Sequence, residues 1–267
     1  MKTQSNQSVL IKKVCALSLS IFLCMCTNVP SGETVLKVAS FNTGHFNMGS
    51  LGGYQGEDVI ETLSLWQDWI IQQQCDILFV QEWNVYFDKD SVYTAQKELL
   101  DPYYKNVDWG DLNLWIHNGI CTNIPIQDKQ VKKFNGDYYA VVTHADISGK
   151  KVALISFHLN WNVNYHMLDL KQLTDFLGEF EYFIAGGDTN ASQESQLSFK
   201  KAGFNIANGG DYGFICTSPG STINKGTHCC IDNIITSANI MIRHPYSTIT
   251  NVNDQDHLPI LAEVVIK

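Results

Sequence analysis

The stretch IAGGDTNA, residues 184–191, decides the fold of this chain. It has the composition of a strand, and the alternation of side chains along a strand places Asp188 on the same face as Ile184 and Gly186. A carboxylate on the inward face of a strand is costly to bury unless it is paired or binds a metal. The stretch therefore predicts a strand that carries a functional carboxylate at its carboxyl end.

The same pattern, an apolar strand with a polar residue at its carboxyl end, occurs three more times. Asn42 ends the strand in VASFNTG, Glu82 follows the strand in DILFVQEWN, and His158 ends the strand in LISFHLN. Strand parity predicts that each lies on an inward face, which for Glu82 is the face of Leu78 and Val80. Several polar side chains at strand ends indicate an ion and an anionic ligand rather than packing.

Two further segments contribute an acid and an imidazole. Asp232 in CIDNIITS lies on the face of Ile234 and is expected to be a buried carboxylate, while Asp256 and His257 lie in DQDHLPIL. An aspartate held against an imidazole fixes its tautomer and stabilises its protonated form. We therefore expect Asp232 and His257 to form a pair.

Strands and helices alternate along the chain. Short apolar runs bounded by turn residues predict strands, and a hairpin at 145–152 with Ser148-Gly149 at its turn indicates mixed sheets. Strands are predicted at Val35–Phe41, Ile77–Val80, Tyr139–Thr143, Val152–Phe157, Tyr182–Ala185, Cys230–Thr236 and Ile260–Ile266, and amphipathic helices at Glu57–Gln74, Tyr165–Phe180 and Gln193–Lys201, the last ending at Gly203.

The first 32 residues differ from the rest of the chain. Lys2, Lys12 and Lys13 precede an uncharged apolar stretch at 14–25, which is too short to span a bilayer as a stable helix and is typical of a secretory signal. We therefore expect residues 1–32 to be a leader and residues 33–267 to be the folded domain.

The end of this leader leaves two processing routes open. The run Leu23-Cys24-Met25-Cys26 resembles the lipobox of bacterial lipoproteins, which implies a lipid on Cys26, although Met25 stands where that family has a small residue. Simple cleavage near Ser31 is the alternative. Either route predicts an exported protein that is secreted, periplasmic or lipid-anchored at the cell envelope, and we expect it to be a monomer.

Charge argues against long polyanionic partners. Without the three leader lysines, 15 basic and 27 acidic residues remain, a formal charge of −12, and Arg243 is the single arginine of the chain. Net charge will not attract a nucleic acid, and arginine is scarce where bidentate phosphate recognition would need it. Nucleic acid is therefore the less favoured substrate.

Five cysteines follow the leader. Cys75 and Cys121 have apolar surroundings and are expected in the core. Cys216 could form a disulfide with Cys229 or Cys230, a pairing that an oxidising compartment would permit. The odd number leaves at least one thiol free or paired externally.

The ordered set FN, QE, FHLN, GDTN, IDNI and QDH resembles the endonuclease/exonuclease/phosphatase superfamily over about residues 35 to 267. The resemblance implies an α/β fold, a four-layer α/β/β/α sandwich of two packed mixed sheets with the site at one end. Gln255 stands where the family has Ser before Asp-His. The activity implied is metal-dependent hydrolysis of a phosphate ester.

Such hydrolysis needs a cation that neutralises the phosphate oxygens, and hard oxygen ligands suit Mg²⁺ or Mn²⁺. Glu82 is the first ligand expected. Asn42 would assist through its amide oxygen or a bound water, and Asp256 is a further candidate ligand.

The other motif residues have catalytic roles in this interpretation. The resemblance implies that Asp188 orients or deprotonates the attacking water and that Asn190 donates to the phosphate. His158 would stabilise the transition state or protonate the leaving oxygen. In the family, the pair of Asp232 and His257 either activates water or binds the phosphate as imidazolium, and the sequence leaves both open.

Two tryptophans are candidates for substrate contact. Trp83 follows Glu82 directly, and Trp161 follows the FHLN block, so either could stack on a ring of the substrate. Packing in the core is the alternative for both.

The sequence therefore predicts an exported, Mg²⁺-dependent phosphoesterase that hydrolyses a compact phosphodiester or phosphomonoester. A secreted deoxyribonuclease-like nuclease is the alternative enzyme, and a sphingomyelinase-like lipid phosphodiesterase comes third because no long apolar hairpin is evident. A noncatalytic binding module on the same fold is the alternative from a different class.

Overall fold

The computed structural model describes residues 32–47, 59–85, 94–114, 116–219, 229–250 and 255–267. The folded unit extends from Gly32 to Lys267. The predicted leader of residues 1–32, with Cys26, lies outside the described residues except for Gly32. Among the residues that are described, no helix has both the length and the apolarity needed to cross a bilayer.

Two mixed six-stranded sheets form the centre of the fold. In chain order the strands are β1 (Thr34–Asn42), β2 (Ile77–Gln81), β3 (Asn106–Trp109), β4 (Gly119–Thr122), β5 (Ile126–Lys133), β6 (Tyr139–Ile147), β7 (Lys150–His158), β8 (Phe183–Asp188), β9 (Asn205–Ile206), β10 (Asp232–Thr236), β11 (Ile240–Ser247) and β12 (Ile260–Ile266). The first sheet has the order β11-β12-β1-β2-β4-β3 and the second β5-β6-β7-β8-β10-β9. β1 pairs parallel with β2 and β7 pairs parallel with β8.

Helices cover the outer faces of both sheets. The sheets share one apolar core, which includes Val38 of the first sheet and Leu154 of the second. Helix α1 (Val59–Gln73) packs on the first sheet, and α2 (Val163–Leu177) with α3 (Gln193–Lys201) packs on the second. The predicted four-layer α/β/β/α sandwich of two packed mixed sheets is confirmed.

The sequence analysis missed five strands, of which four are the edges of the sheets. β11 and β3 bound the first sheet, and β5 and β9 bound the second. Edge strands carry polar residues on exposed faces, so they lack the apolar alternation that identifies an inner strand; in β5, seven of the eight positions are exposed and six of those seven are polar. The fifth, β4, has four residues, all of them buried.

Local signals in the sequence agree with the structure. The predicted hairpin joins β6 to β7, and its turn residues Ser148 and Gly149 have φ values of 56° and 72°, the left-handed conformation that a two-residue hairpin requires. Ser192 caps α3 by accepting from the backbone N of Ser195, and Gly203 with φ 91° follows its end.

Candidate active site

Polar side chains from both sheets meet at one end of the sandwich. In the first sheet, β1 ends at Asn42 and Glu82 follows β2. In the second sheet, β7 ends at His158 and β8 at Asp188, and these two residues are paired in register. β10 runs antiparallel to β8, so its first residue, Asp232, also pairs with Asp188. The topology thus gathers predicted residues from four strands and three loops at one place.

Asn42 connects the two sheets within this site. Its Nδ2 donates to Oε1 of Glu82 and to Oδ2 of Asp188, both at 3.1 Å. Its Oδ1 accepts from the backbone N of Gly44 at 3.0 Å. The amide oxygen predicted as a ligand thus accepts one hydrogen bond from Gly44 and retains a second lone pair, while Asn42 contacts the two carboxylates as a donor.

Glu82 reaches the site for a different reason than strand parity. The preceding residue, Gln81, points between the sheets, where its Nε2 donates to Oγ of Ser156 at 3.0 Å. Regular alternation would turn Glu82 to the opposite face, on which Leu78 and Val80 pack beneath α1. Glu82 instead has φ 48°, and this left-handed conformation redirects its carboxylate toward Asn42.

Asp232 and His257 form the predicted pair. Nδ1 of His257 lies 2.9 Å from Oδ2 of Asp232, and both side chains are buried. Nε2 of His257 points toward the other motif residues, 3.7 Å from Oδ2 of Asp188. Burial alone would lower the pKa of His257, but the charge of Asp232 and the hydrogen bond to it raise that pKa well above the ordinary value. The structure thus favours an imidazolium at this position.

His158 and Asn190 form a second contact. Nδ2 of Asn190 donates to the carbonyl oxygen of Leu159 at 2.9 Å and lies 3.1 Å from Nε2 of His158. Burial, reinforced by the charges of His257 and His45, lowers the pKa of His158 to about 3. His158 is therefore neutral here, and its tautomer decides whether Nε2 accepts from Asn190 or donates to an oxygen in the site.

Asp188 and Asn190 are brought together by a tight turn rather than by an extended chain. Asn190 has φ 46°, and its backbone N donates to Oδ1 of Asp188 at 2.7 Å. An Asx turn of this kind was the alternative to a functional role, yet both side chains still face the site.

His45 also belongs to the site and was not predicted. Its Nε2 lies 3.4 Å from Oε2 of Glu82, and its backbone N donates to the carbonyl oxygen of Glu82 at 2.9 Å. His45 and Phe46 both have φ 55°, an unfavourable conformation for residues with a Cβ. The only signal in the sequence was the Gly44 turn after Asn42, which does not reveal where the next side chain points.

The carboxyl groups of the site are buried close together, which disfavours their ionised forms. Burial raises the pKa of Asp188 to about 8, with a further contribution from the charge of Asp232. Burial also raises the pKa of Glu82, against the charge of His257 and the hydrogen bond from Asn42. A protein retains ionisable groups of this kind mainly where they have a function.

Solved structures of other proteins share this arrangement of elements. A truncated TDP2 from Caenorhabditis elegans aligns with a TM-score of 0.65 at 18% identity, over 86% of this chain and 97% of that one. An endonuclease/exonuclease/phosphatase family protein from Bacteroides thetaiotaomicron aligns with a TM-score of 0.65 at 16% identity, over 88% and 99%. This chain has the endonuclease/exonuclease/phosphatase fold. No protein-family model and no curated protein matches its sequence.

A third solved structure, D. rerio TDP2 complexed with a single-strand DNA product, aligns with a TM-score of 0.63 at 16% identity, over 86% of this chain and 99% of that one. At these identities the alignments establish the fold, and any function must be argued from the residues of the site.

The donor set of this endonuclease/exonuclease/phosphatase fold suits a divalent cation. Ligand atoms of Glu82, His158 and Asp188 lie within 4.8 Å of one another, as do those of Asp188, Asp232 and His257. A cation placed among carboxylates whose pKa values are raised would offset both their mutual repulsion and their desolvation. The residues present therefore fit a metal ion.

Asp256 lies at the rim rather than among these ligand atoms. It is exposed, and its backbone carbonyl accepts from Oγ of Ser218 at 2.9 Å. Its charge still acts on the site, since it adds to the raised pKa of His257. The prediction that Asp256 is a direct ligand gains no geometric support from the groups that come together here.

The two tryptophans have opposite environments. Trp83 is 2% exposed and packs against Phe46 and Trp109, with ring centroids 4.6 and 5.5 Å away. Its ring is covered by protein, so the structure places it in the core and not on a substrate surface. Trp161 is 64% exposed, and it follows the His158 strand by three residues. Trp161 can therefore contact a ligand.

Proposed function

We propose that this chain is an exported phosphoesterase that uses Mg²⁺ to hydrolyse a compact phosphodiester or phosphomonoester by attack of water. One observation carries the proposal: the convergence of Asn42, Glu82, His158, Asp188 and the His257 pair at one end of an endonuclease/exonuclease/phosphatase sandwich. Export is inferred from the leader in the sequence.

Glu82 would hold the cation, with Asn42 assisting through its amide oxygen or through a bound water. When bound, Mg²⁺ would supply positive charge to the nonbridging phosphate oxygens, and Mn²⁺ is an alternative with similar ligand preferences. The 23% exposure of the Glu82 side chain leaves it open to solvent and therefore to an incoming ion.

Asp188 is the residue we assign to the attacking water. Its Oδ1 is fixed by the backbone N of Asn190 at 2.7 Å, which leaves Oδ2 facing the site. A carboxylate whose pKa is raised by burial is a stronger base than an exposed one, so Asp188 is suited to take the proton as water attacks.

The histidines and Asn190 would stabilise the phosphate. His257, with the raised pKa that Asp232 gives it, would present an imidazolium to a phosphate oxygen. Asn190 would donate from Nδ2, which now contacts His158. His158 is neutral in this state and would act by hydrogen bonding to the departing oxygen.

Hydrolysis of bis(4-nitrophenyl) phosphate and 4-nitrophenyl phosphate, with Mg²⁺, with Mn²⁺ and with EDTA, tests the proposal. We expect metal-dependent release of 4-nitrophenol that Asp188→Asn lowers at least roughly 100-fold. Asp211→Asn, an identical exchange at a side chain that is 91% exposed, should match the unaltered protein. If neither ester is hydrolysed, the result would favour the noncatalytic binding module.

A nuclease activity is the second candidate. The similar D. rerio TDP2 was solved with a single-strand DNA product, and β5 of this chain carries three exposed lysines, Lys129, Lys132 and Lys133. Lys133 pairs with Tyr139 on β6, which pairs with His158, so this end of β5 lies at the active-site end of the sheet. A screen of DNA, RNA, sphingomyelin, inositol phosphates and sugar phosphates would separate the candidates.

A further inference from the structure

Three cysteine side chains lie together beside the start of β10. Sγ of Cys229 is 3.6 Å from Sγ of Cys230, and the two residues that follow Cys216 donate backbone hydrogen bonds to the carbonyl oxygen of Cys229. All three are free thiols in this structure. They take no part in the proposed chemistry, yet they flank Asp232.

We propose that Cys216 and Cys229 are a site of disulfide formation that braces the two segments carrying the Asp232–His257 pair. The proposal goes beyond the hydrolysis described above and does not depend on it.

The backbone around Cys216 and Cys229 is already paired. The backbone N atoms of Thr217 and Ser218 both donate to the carbonyl oxygen of Cys229, at 2.6 and 2.8 Å. The chain segments that carry the two thiols are therefore adjacent through main-chain contacts. Backbone segments paired this closely bring two Cα atoms toward the roughly 4.4–6.8 Å separation that a disulfide needs.

Cys216 is the better partner for Cys229 than its neighbour in sequence. Consecutive Cα atoms are about 3.8 Å apart, which is shorter than the roughly 4.4–6.8 Å that disulfides span. Cys230 is also buried at 3% exposure, and its Sγ accepts from Nε2 of Gln193 at 3.1 Å. Cys216 is exposed and Cys229 partly so, which leaves this pair accessible to an oxidant.

The disulfide would restrain the Asp232–His257 pair through Thr217. Oγ1 of Thr217 accepts from the backbone N of Asp232 at 3.1 Å, and its carbonyl oxygen accepts from the backbone N of Leu258 at 2.6 Å. Thr217, which follows Cys216, thus contacts both Asp232 at the start of β10 and Leu258, which follows His257. A covalent bond between Cys216 and Cys229 would limit the separation of these segments on local opening.

The oxidant is a small-molecule disulfide such as oxidised glutathione. The thiolate of one cysteine attacks it and releases one reduced glutathione, and the second cysteine then displaces the other from the mixed disulfide. One protein S–S bond forms as one glutathione S–S bond breaks, and two electrons pass to glutathione. Desolvation and the neighbouring Cys229 raise the pKa of Cys216 to about 12, so the Cys216 thiol is protonated at neutral pH and its exchange should quicken as pH rises.

Peptide mapping of the full chain provides the direct test. Trypsin cleaves after Lys201, Lys225 and Arg243, which places Cys216 alone in peptide 202–225 and the other two cysteines in peptide 226–243. After equilibration with oxidised glutathione and blocking of free thiols, we expect these two peptides to be linked. The link should persist in Cys230→Ala and disappear in Cys216→Ser and Cys229→Ser.

Thermal unfolding supplies the second measurement. Oxidation should raise the melting temperature of the unaltered chain and of Cys230→Ala by roughly 6–12 °C, because the bond closes a short loop in the unfolded state, and should leave Cys216→Ser unchanged. An unlinked pair of peptides, a link that survives Cys229→Ser, or a link without any thermal shift would each overturn the proposal.

Discussion

Nδ1 of His257 lies 2.9 Å from Oδ2 of Asp232, and both side chains are at least nine-tenths buried. Because the carboxylate fixes the ring and raises its pKa, the two residues should act as one unit. We expect Asp232→Ala and His257→Ala each to lower kcat/KM roughly 100-fold or more, and the double variant to lose little beyond the worse single variant. A double-mutant cycle on bis(4-nitrophenyl) phosphate measures the coupling, and additive losses would show that the residues act independently.

Glu82→Gln should keep the fold and lose the cation, since the exchange preserves size and removes the charge. At Mg²⁺ about 100-fold above its dissociation constant, the unaltered protein should melt roughly 5–10 °C higher than with EDTA. Glu82→Gln should show little of this shift and little hydrolysis. Glu179→Gln changes an exposed glutamate beyond α2 and is the matched control. An undiminished Mg²⁺ shift in Glu82→Gln would assign the cation to other ligands.

Strand parity predicted most of the site because it depends on local geometry alone. Asn42, His158 and Asp188 each lie on the face of the strand that points between the sheets, together with the apolar residue four positions before each of them, namely Val38, Leu154 and Ile184. Asp232 shares its face with Ile234 in the same core. Side-chain alternation in an uninterrupted strand can be read from sequence without knowledge of the neighbouring strands.

The positions of Glu82 and His45 could not be predicted from strand alternation, because they depend on an unusual backbone conformation. Glu82 and His45 reach the site because each has a positive φ, and for residues other than glycine this conformation is imposed by the surrounding structure. Gln81, and not Glu82, occupies the strand position whose side chain points between the sheets. Its contact with Ser156 depends on how the two sheets pack. Such contacts between sheets have no local signal in the sequence.

Gly187→Ala should destabilise the fold strongly. A Cβ at this position would lie 2.0 Å from the backbone carbonyl oxygen of Phe157 on the paired strand β7, and backbone cannot move away as a side chain can. We expect a loss of about 3–5 kcal/mol in the free energy of unfolding, measured by urea denaturation. Gly178→Ala, where the new Cβ would lie 3.3 Å from its nearest neighbour, is the control and should change stability by about 1 kcal/mol or less. Equal stability of the two variants would contradict the close approach of β7 and β8.

Trp161→Ala should weaken substrate binding without impairing the chemical step. The side chain is 64% exposed and follows His158 by three residues, so we assign it to the organic group of a compact ester rather than to the reacting atoms. For bis(4-nitrophenyl) phosphate we expect KM to rise about 5- to 20-fold with kcat within about twofold, since stacking on an aromatic ring contributes about 1–2 kcal/mol. Tyr212→Ala removes another exposed aromatic ring and should leave both constants unchanged. A fall in kcat at constant KM would give Trp161 a role in the reaction instead.

Long nucleic acid should be a poor substrate compared with small phosphate esters. Without the leader the chain has a formal charge of −12 and one arginine, whereas binding to DNA draws much of its strength from counterions released as Lys and Arg neutralise phosphates. Nicking of supercoiled plasmid should therefore be slow and should fall only weakly between about 50 and 200 mM salt. Joint replacement of Lys129, Lys132 and Lys133 by Ala removes three exposed positive charges from β5 and should affect plasmid and small esters equally. Efficient nicking that declines steeply with salt, and declines further in this triple variant, would show that these lysines bind a phosphate backbone and would favour the nuclease candidate.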